Sequence, residues 1–329
     1  MDLKTEYLGL ELSHPVMPGA SPLSHDLDTI RRLEDAGAAA IVMYSLFEEQ
    51  LVGEQIAAHH GTELHAHSFP EATTFFSEPP AFALGPHEYL EHLARAKTAV
   101  AIPVIGSLNG TTPGGWTEHA RLIEQAGADA IELNLYSVAA NHEETSQQVE
   151  DRTVELCRAV KATVKIPVAA KLSPFYTSVP HLGHRLESVG IDGVVLFNRF
   201  YQPDIDVDEL EVRHTLHLSD STELLMRLRW LAILSGRLSL SLGATGGVHT
   251  PLDAVKAVMC GAHAVQMVSA LLLHGIETLT VVRDGLRAWL EEHEYVSLEQ
   301  MRGSMSLERC PDPAAYERAQ YLRVLRTGW

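Results

Sequence analysis

Cysteine is scarce: Cys157, Cys260 and Cys310 are the three in 329 residues, and no two stand in a CxxC spacing. That excludes an iron–sulfur or structural zinc site of ordinary pattern, and with it a disulfide framework. A reducing compartment is the simplest setting. Long apolar runs are also missing, none approaching the roughly 20 residues that span a bilayer. The first residues, MDLKTEYLGLEL, have neither the basic nor the apolar region of a secretory leader. Basic residues are outnumbered, 25 Lys and Arg against 43 Asp and Glu, for a formal net charge of −18. Such a chain repels polyanions, and no Lys/Arg cluster offers them a local groove. The expectation is a soluble, cytoplasmic protein with no nucleic-acid or membrane partner.

What is present is an ordinary globular composition, 46% hydrophobic and 21% charged. The length fits one large α/β barrel or two ordinary domains, and a core of that size needs no covalent staples. A phrase that recurs in four variants decides between them. EDAGAAAIVM (34–43), EQAGADAIEL (124–133), ESVGIDGVVL (187–196) and VMCGAHAVQM (258–267) each read as a last helical turn, a glycine and an apolar strand. Gly37, Gly127, Gly190 and Gly261 suit the left-handed position that ends a helix. Continuous apolar runs suit parallel strands buried on both faces. IPVIGSL (102–108), IPVAAKL (166–172), LSLSLGA (238–244) and PVMPGAS (15–21) complete a set of eight. These strands begin near residues 15, 39, 102, 130, 167, 193, 239 and 264. Helical patterns such as HDLDTIRRLEDAG and TEHARLIEQAG fall between them. Eight strand–helix alternations predict a (β/α)8 TIM barrel; a doubly wound sheet fits the count less well. Residues 1–329 then form a single barrel domain, with an excursion at about 48–98 between strands two and three.

Chemistry in such a barrel sits at the carboxyl ends of the strands. Ala20 and Ser21 follow strand one, Ser45 strand two and Asn109 strand three. Strand four runs into ELNLYSVAAN (132–141), which delivers Asn134, Tyr136, Ser137 and Asn141. Strand five ends at Lys171 and strand six at Asn198 and Arg199. GATGGV (243–248) follows strand seven and opens a helix. Backbone N–H groups at Gly246 and Gly247 can approach a phosphate there, and the helix start favours an anion. Barrels commonly build a phosphate site after strands seven and eight, where Ser269 also falls. A tight turn that simply needs glycine is the plainer alternative. Lys171 interrupts an apolar strand and needs a partner, structural in Glu132 or functional in an anionic cofactor. Asn134 and Asn198 carry amides that donate and accept at once, which suits a flat heterocycle with alternating N–H and C=O groups.

With these residues in view, the chain resembles the dihydroorotate dehydrogenase family of FMN-dependent (β/α)8 barrels. The likeness runs from PVMPGASPL to SLGATGGVHTPLDAVKAVMCGAHAVQMVSALL, nearly the whole chain. It implies an FMN oxidoreductase of pyrimidine biosynthesis acting on a CH–CH bond, with dihydroorotate or a related small cyclic molecule as substrate. It implies that Gly246, Gly247, Val268 and Ser269 hold the FMN phosphate. Ala20, Ser21, Ser45, Asn109, Asn134 and Lys171 would line the rest of the flavin. Asn134, Asn141 and Asn198 would contact the substrate, and the protein would be a homo-oligomer. In the family a base in the loop after strand four takes a proton while hydride passes to the flavin. Ser137 aligns with that base. Tyr136, with a reference pKa of about 10, is the alternative, because a serine hydroxyl needs activation to accept a proton.

Departures from the family pattern gather on the substrate side. The base loop lacks the family's proline, Tyr136 stands for a small residue, and Asn141 aligns only across a two-residue insertion. Tyr44 stands where a lysine is usual, and Val268 where a glycine is usual. FSEPPAFALGPHEYL replaces an Asn-rich loop that contacts the substrate carboxylate. A flavoprotein of the same fold acting on another substrate, and a flavin-binding barrel without catalysis, are the alternatives. A barrel enzyme forming a Schiff base on Lys171 is a more distant one. With no quinone-reaching helical extension and no Cys-rich relay segment, the expected electron acceptor is soluble or a separate reductase. His59, His60, His65 and His67 crowd the excursion without a metal-ligand spacing. They are expected to make it polar and sensitive to pH, with no metal bound.

Overall fold

The acids of the recurring phrase explain why it recurs. Glu34 accepts from the N–H of Ala101 at 2.7 Å, Glu124 from Lys165 at 2.7 Å and Glu187 from Ser239 at 2.6 Å. Three of the four phrases therefore hold the approach to a later strand. Asp129 and Asp192 accept from the N–H groups of Val104 and Val168, both at 2.7 Å, and pair with Lys97 and Lys161. The four glycines of the phrase have φ from +86° to +113°, which lets the chain pass from helix to strand at once. The repeat is a packing device, and it recurs because the barrel does.

The computed structural model describes residues 1–47, 86–110, 113–135, 137–199, 202–214, 216–318 and 326. In chain order its barrel strands one to eight are Val16–Pro18, Ile41–Phe47, Val104–Asn109, Ala130–Asn134, Val168–Leu172, Gly193–Leu196, Ser241–Thr245 and Ala264–Met267. All eight lie in one sheet, strands two to eight pairing in sequence and eight pairing with one. The Ala39 N–H reaches the Val16 carbonyl at 3.1 Å and nearly completes the ring between one and two. This is the (β/α)8 barrel, with each strand starting within two residues of the position expected from sequence. Helices surround it, several with side-chain caps. Asp26 caps Leu27–Asp35, while Thr145 and Thr250 form capping boxes with Gln148 and Asp253. Within the 48–98 excursion, Pro86–Ala99 is the helix before strand three. Residues 48–85, with His59, His60, His65 and His67, lie outside the described residues.

Two antiparallel hairpins stand outside the eightfold pattern. Thr5–Tyr7 pairs with Leu10–Leu12 through a turn with positive φ at Leu8 and Gly9. Such two-residue turns match the twist of the strands they join. This hairpin closes the amino-terminal end of the barrel, where Leu8 N–H donates to Ser241 Oγ and Thr5 Oγ1 to the His263 carbonyl, both at 3.0 Å. Leu8 is buried, and a Cβ on Gly193 would lie 2.5 Å from its Cδ2. The barrel interior is filled mostly by small and branched side chains, among them Val42, Ile105, Ala169, Val195 and Ala264. A larger apolar layer lies between strands and helices. The second hairpin, Pro203–Asp206 with Glu211–His214, follows the carboxyl end of strand six. It leads through residues 216–223 to the helix Leu224–Leu234. With one end plugged, the open end is left for chemistry.

Candidate functional site

A cavity of about 680 Å³ lies over the carboxyl ends of the strands. That volume is within the range of roughly 300–1,000 Å³ typical of small-molecule sites. Ten of its lining residues come from the strand ends or the turns just beyond them: Ala20, Ser21, Ser45, Asn109, Asn134, Lys171, Gly246, Gly247, Val268 and Ser269. Asn198 lines it too. Residues scattered over more than two hundred positions in sequence thus meet around one space, because every barrel strand points the same way.

The floor is a buried polar network. Glu132, 1% exposed, receives Lys171 Nζ on Oε1 at 3.1 Å and Gln266 Nε2 on Oε2 at 2.6 Å. Lys171 is therefore paired structurally, while its Nζ side still borders the cavity. Gln266 Oε1 is buried without a hydrogen-bond partner among the described residues. A buried acceptor left unpaired costs about 1–3 kcal/mol. A ligand N–H would satisfy it. Asn134 Nδ2 donates to the hydroxyls of Ser45 and Ser107, the latter at 2.8 Å, which fixes its amide at the end of strand four. Asn198 Nδ2 donates to the Lys171 carbonyl at 3.1 Å.

One side of the cavity is a glycine turn. Gly246 and Gly247 have φ of +87° and +82°, and a Cβ on Gly247 would lie 2.3 Å from the Leu224 nitrogen. The turn can therefore exist only with glycine there, packed against the start of Leu224–Leu234. Gly247 N–H donates to Ser219 Oγ at a long 3.3 Å, and Ser219 N–H to Ser269 Oγ at 3.0 Å. Backbone N–H groups and small side chains line this corner of the cavity, an arrangement able to hold an anionic group.

Another wall is aromatic. Tyr44 and His25 stack at 3.9 Å between ring centroids, both bordering the cavity. Burial pushes the Tyr44 phenol up to about 12 and lowers the His25 imidazole from its usual value, His92 adding to the latter. Both rings are thus held neutral near pH 7. Tyr44 Oη is buried without a hydrogen-bond partner among the described residues.

Ser137 and Asn141 are exposed, on the loop that leaves strand four, and neither lines the cavity. Tyr136 lies outside the described residues. Sequence reasoning missed His25, Phe197, Ser219, Glu223, Arg227 and Gln266 as cavity residues, and noted Arg199 only as a strand end. Gln266 interrupts the apolar strand AVQM much as Glu132 and Lys171 interrupt theirs, and that signal was there to be read. Ser219 and Arg227 carry no such mark.

Fold and site together define a (β/α)8 barrel with a small-molecule cavity over the carboxyl ends of its strands. Residues 83–290 match the family described as dihydroorotate dehydrogenase. The dihydroorotate dehydrogenase B (NAD(+)) catalytic subunit of Methanocaldococcus jannaschii is 27% identical over 311 residues, which cover 92% of this chain and 97% of the relative. That of Pyrococcus abyssi is 27% identical over 313 residues, covering 92% and 98%. A protein from Aeropyrum pernix, provisionally named dihydroorotate dehydrogenase A (fumarate), is 28% identical over 307 residues, covering 92% and 97%. The chain belongs to the dihydroorotate dehydrogenase family, and it is an oxidoreductase of that type. Among the described residues, no helix is long and apolar enough to cross a membrane.

Proposed function

We propose that the protein is an FMN-dependent enzyme that oxidises dihydroorotate, or a closely related small cyclic molecule, at a CH–CH bond. The observation that carries this reading is the single cavity joining the Gly246–Gly247 turn to the Asn134–Lys171–Asn198 cluster. The orphaned Gln266 Oε1, the glycine cradle and the cavity volume all fit a flavin nucleotide. FMN, when bound, would supply the hydride acceptor. Gly246, Gly247, Val268 and Ser269 would hold its phosphate. Ala20, Ser21, Ser45, Asn109, Asn134 and Lys171 would line its remainder, Lys171 held in place by Glu132. Asn134 and Asn198, their amides fixed by neighbours, would orient the substrate through its amide groups. A base on the loop after strand four, Ser137 or its neighbour Tyr136, would take the proton, and Asn141 on that loop would contact the substrate. In this reading residues 1–329 work as one cytoplasmic barrel unit, self-associated, with a soluble electron acceptor or a separate reductase; the names of the relatives favour NAD(+) through a partner.

The test is a spectrum followed by a reaction. Purified protein should carry flavin absorbance, or gain it on adding FMN, and anaerobic dihydroorotate should bleach it. Protein that binds no FMN ends this reading. A second reading is favoured by Tyr44: a neutral, stacked phenol takes the place of the family's lysine, which suits a substrate with less negative charge. Flavin that binds but is not bleached by dihydroorotate, and is bleached by an uncharged cyclic amide or enone, would favour it. Flavin that no substrate bleaches would favour a binding barrel without catalysis. Comparing Ser137→Ala with Tyr136→Phe in rapid mixing identifies the base, since only loss of the proton acceptor slows flavin reduction by orders of magnitude.

A further inference from the structure

Arg227 is a buried cation with no adequate counter-ion. It lies in the first turn of the helix Leu224–Leu234 and is 4% exposed. Its Nε donates to the Thr245 carbonyl at 3.0 Å and its Nη1 to the Glu223 carbonyl at 2.6 Å. Its Nη2 makes no hydrogen bond among the described residues, and the side chain borders the cavity. The first turn of a helix is the positive end of its dipole, an unfavourable place for a guanidinium. Burial lowers the Arg227 pKa from its usual value, and Glu223 only partly opposes that. The Glu223 carboxylate is 3.8 Å from Nη1, is about one-third exposed, and is shared with Arg199 at 3.4 Å. One carboxylate between two guanidinium groups leaves a net positive charge on this wall. Lys171, which also borders the cavity, is already matched by Glu132.

The adjoining turn is shaped to this guanidinium. A Cβ on Gly246 would stand 2.8 Å from Nη2 and 3.2 Å from Cζ, so glycine there lets the charged plane lie against the backbone. The N–H of Gly247 and the hydroxyl of Ser269 are held nearby through Ser219. An oxyanion in this corner would receive Nη2, relieve the helix start and balance the wall. We propose that Arg227 is the buried counter-charge for the phosphate of the flavin nucleotide, and that it makes the site select FMN over riboflavin. This rests on the flavin reading above. Arg227 acts on binding and takes no part in the chemistry.

A purely structural Arg227, latching the ends of strand seven and residue 223, is the competing idea. The two are separated by measuring dissociation constants for FMN and for riboflavin by flavin fluorescence quenching, with the wild type and with Arg227→Gln and Arg227→Lys. A charged hydrogen bond of this kind corresponds to roughly ten- to hundredfold in affinity. Wild type should prefer FMN, Arg227→Gln should weaken FMN binding by that factor while leaving riboflavin unchanged, and Arg227→Lys should fall between. An unchanged FMN-to-riboflavin ratio in Arg227→Gln, or equal losses for both flavins, overturns the proposal. Should Arg227→Gln fail to fold, phosphorus NMR of FMN on the wild type decides. The bound phosphate should remain a dianion well below its ordinary second pKa of about 6, and an ordinary titration overturns the proposal. Wild type that binds neither flavin refutes the flavin reading itself, a different outcome from binding FMN without any part for Arg227.

Discussion

Glu132→Gln probes the network on which the whole cavity stands. Both carboxylate oxygens of Glu132 face donors, Lys171 Nζ at 3.1 Å and Gln266 Nε2 at 2.6 Å, in a position 1% exposed. A glutamine offers one oxygen and one NH2, so it keeps one donor as it stands and keeps the other contact only if the Gln266 amide turns to present its Oε1. The substitution also leaves the Lys171 ammonium without its carboxylate. Removing one partner of a buried ion pair costs about 3–5 kcal/mol. Lys171 has a side chain 10% exposed toward the cavity, and water there reduces the penalty, so the low end applies. We expect a loss of about 3 kcal/mol in flavin-free protein. Equilibrium urea unfolding should show it as a midpoint lower by roughly 1 M, for an m value near 3 kcal/mol/M. Adding Lys171→Met removes the stranded charge and should recover about 1 kcal/mol or more, since contacting residues are not additive. A single-variant loss below about 1 kcal/mol, or strict additivity in the double variant, would refute the idea that this pair is a coupled structural unit.

Three further outcomes follow from the same structure. His14 and His263 are each lowered to about 4, chiefly by burial, and each accepts a backbone N–H on Nδ1, from Val16 and Leu242. Unfolded histidine titrates near 6.5, so the unfolded chain binds these protons first. Stability should be full above about pH 6.5 and fall as pH drops toward about 4; urea midpoints that stay flat across that interval would refute it. Gly247→Ala combines a φ of +82° with a Cβ 2.3 Å from the Leu224 nitrogen. It should cost about 2–4 kcal/mol by chemical denaturation, whereas Gly114→Ala, in a helix with nothing within 4 Å, should be neutral or slightly stabilising. Tyr44→Phe removes a buried hydroxyl that has no partner among the described residues. It should leave thermal stability unchanged or raise it by about 1 kcal/mol, and a loss of that size would reveal a partner for the hydroxyl.

The architecture was legible because its signals are local and repeated. EDAGAAAIVM and its three relatives state helix end, glycine and strand within ten residues, and each glycine adopts the backbone geometry its position demands. Polar residues that interrupt or end an apolar run, Glu132, Asn134 and Lys171, were legible for a related reason: an apolar strand makes a polar residue conspicuous. Both hairpins escaped notice. TEYLGLEL alternates over strands of three residues, too short to stand out, and its Leu8 takes a positive φ that few sequences advertise.

Arg227 and Ser219 were invisible for a different reason, one that bears on how far such reading can go. Within LLMRLRWLAIL, an arginine four residues after Glu223 looks like half of an exposed i, i+4 pair. Nothing local says that this arginine is 4% exposed while its helix neighbour Arg229 is exposed. Which one turns inward depends on where the helix starts, and that depends on the turn at Gly246 and Gly247, which packs against Leu224. The turn lies about twenty residues further along the chain, at the end of a different strand. The cradle is therefore a joint property of two segments, and each segment alone has a sufficient bland explanation: a glycine turn, and a charged helix face. Only their contact brings a glycine turn and a surface-like arginine together at one corner of the cavity, where the proposed site would hold an anion in a protein whose net charge of −18 would otherwise repel it.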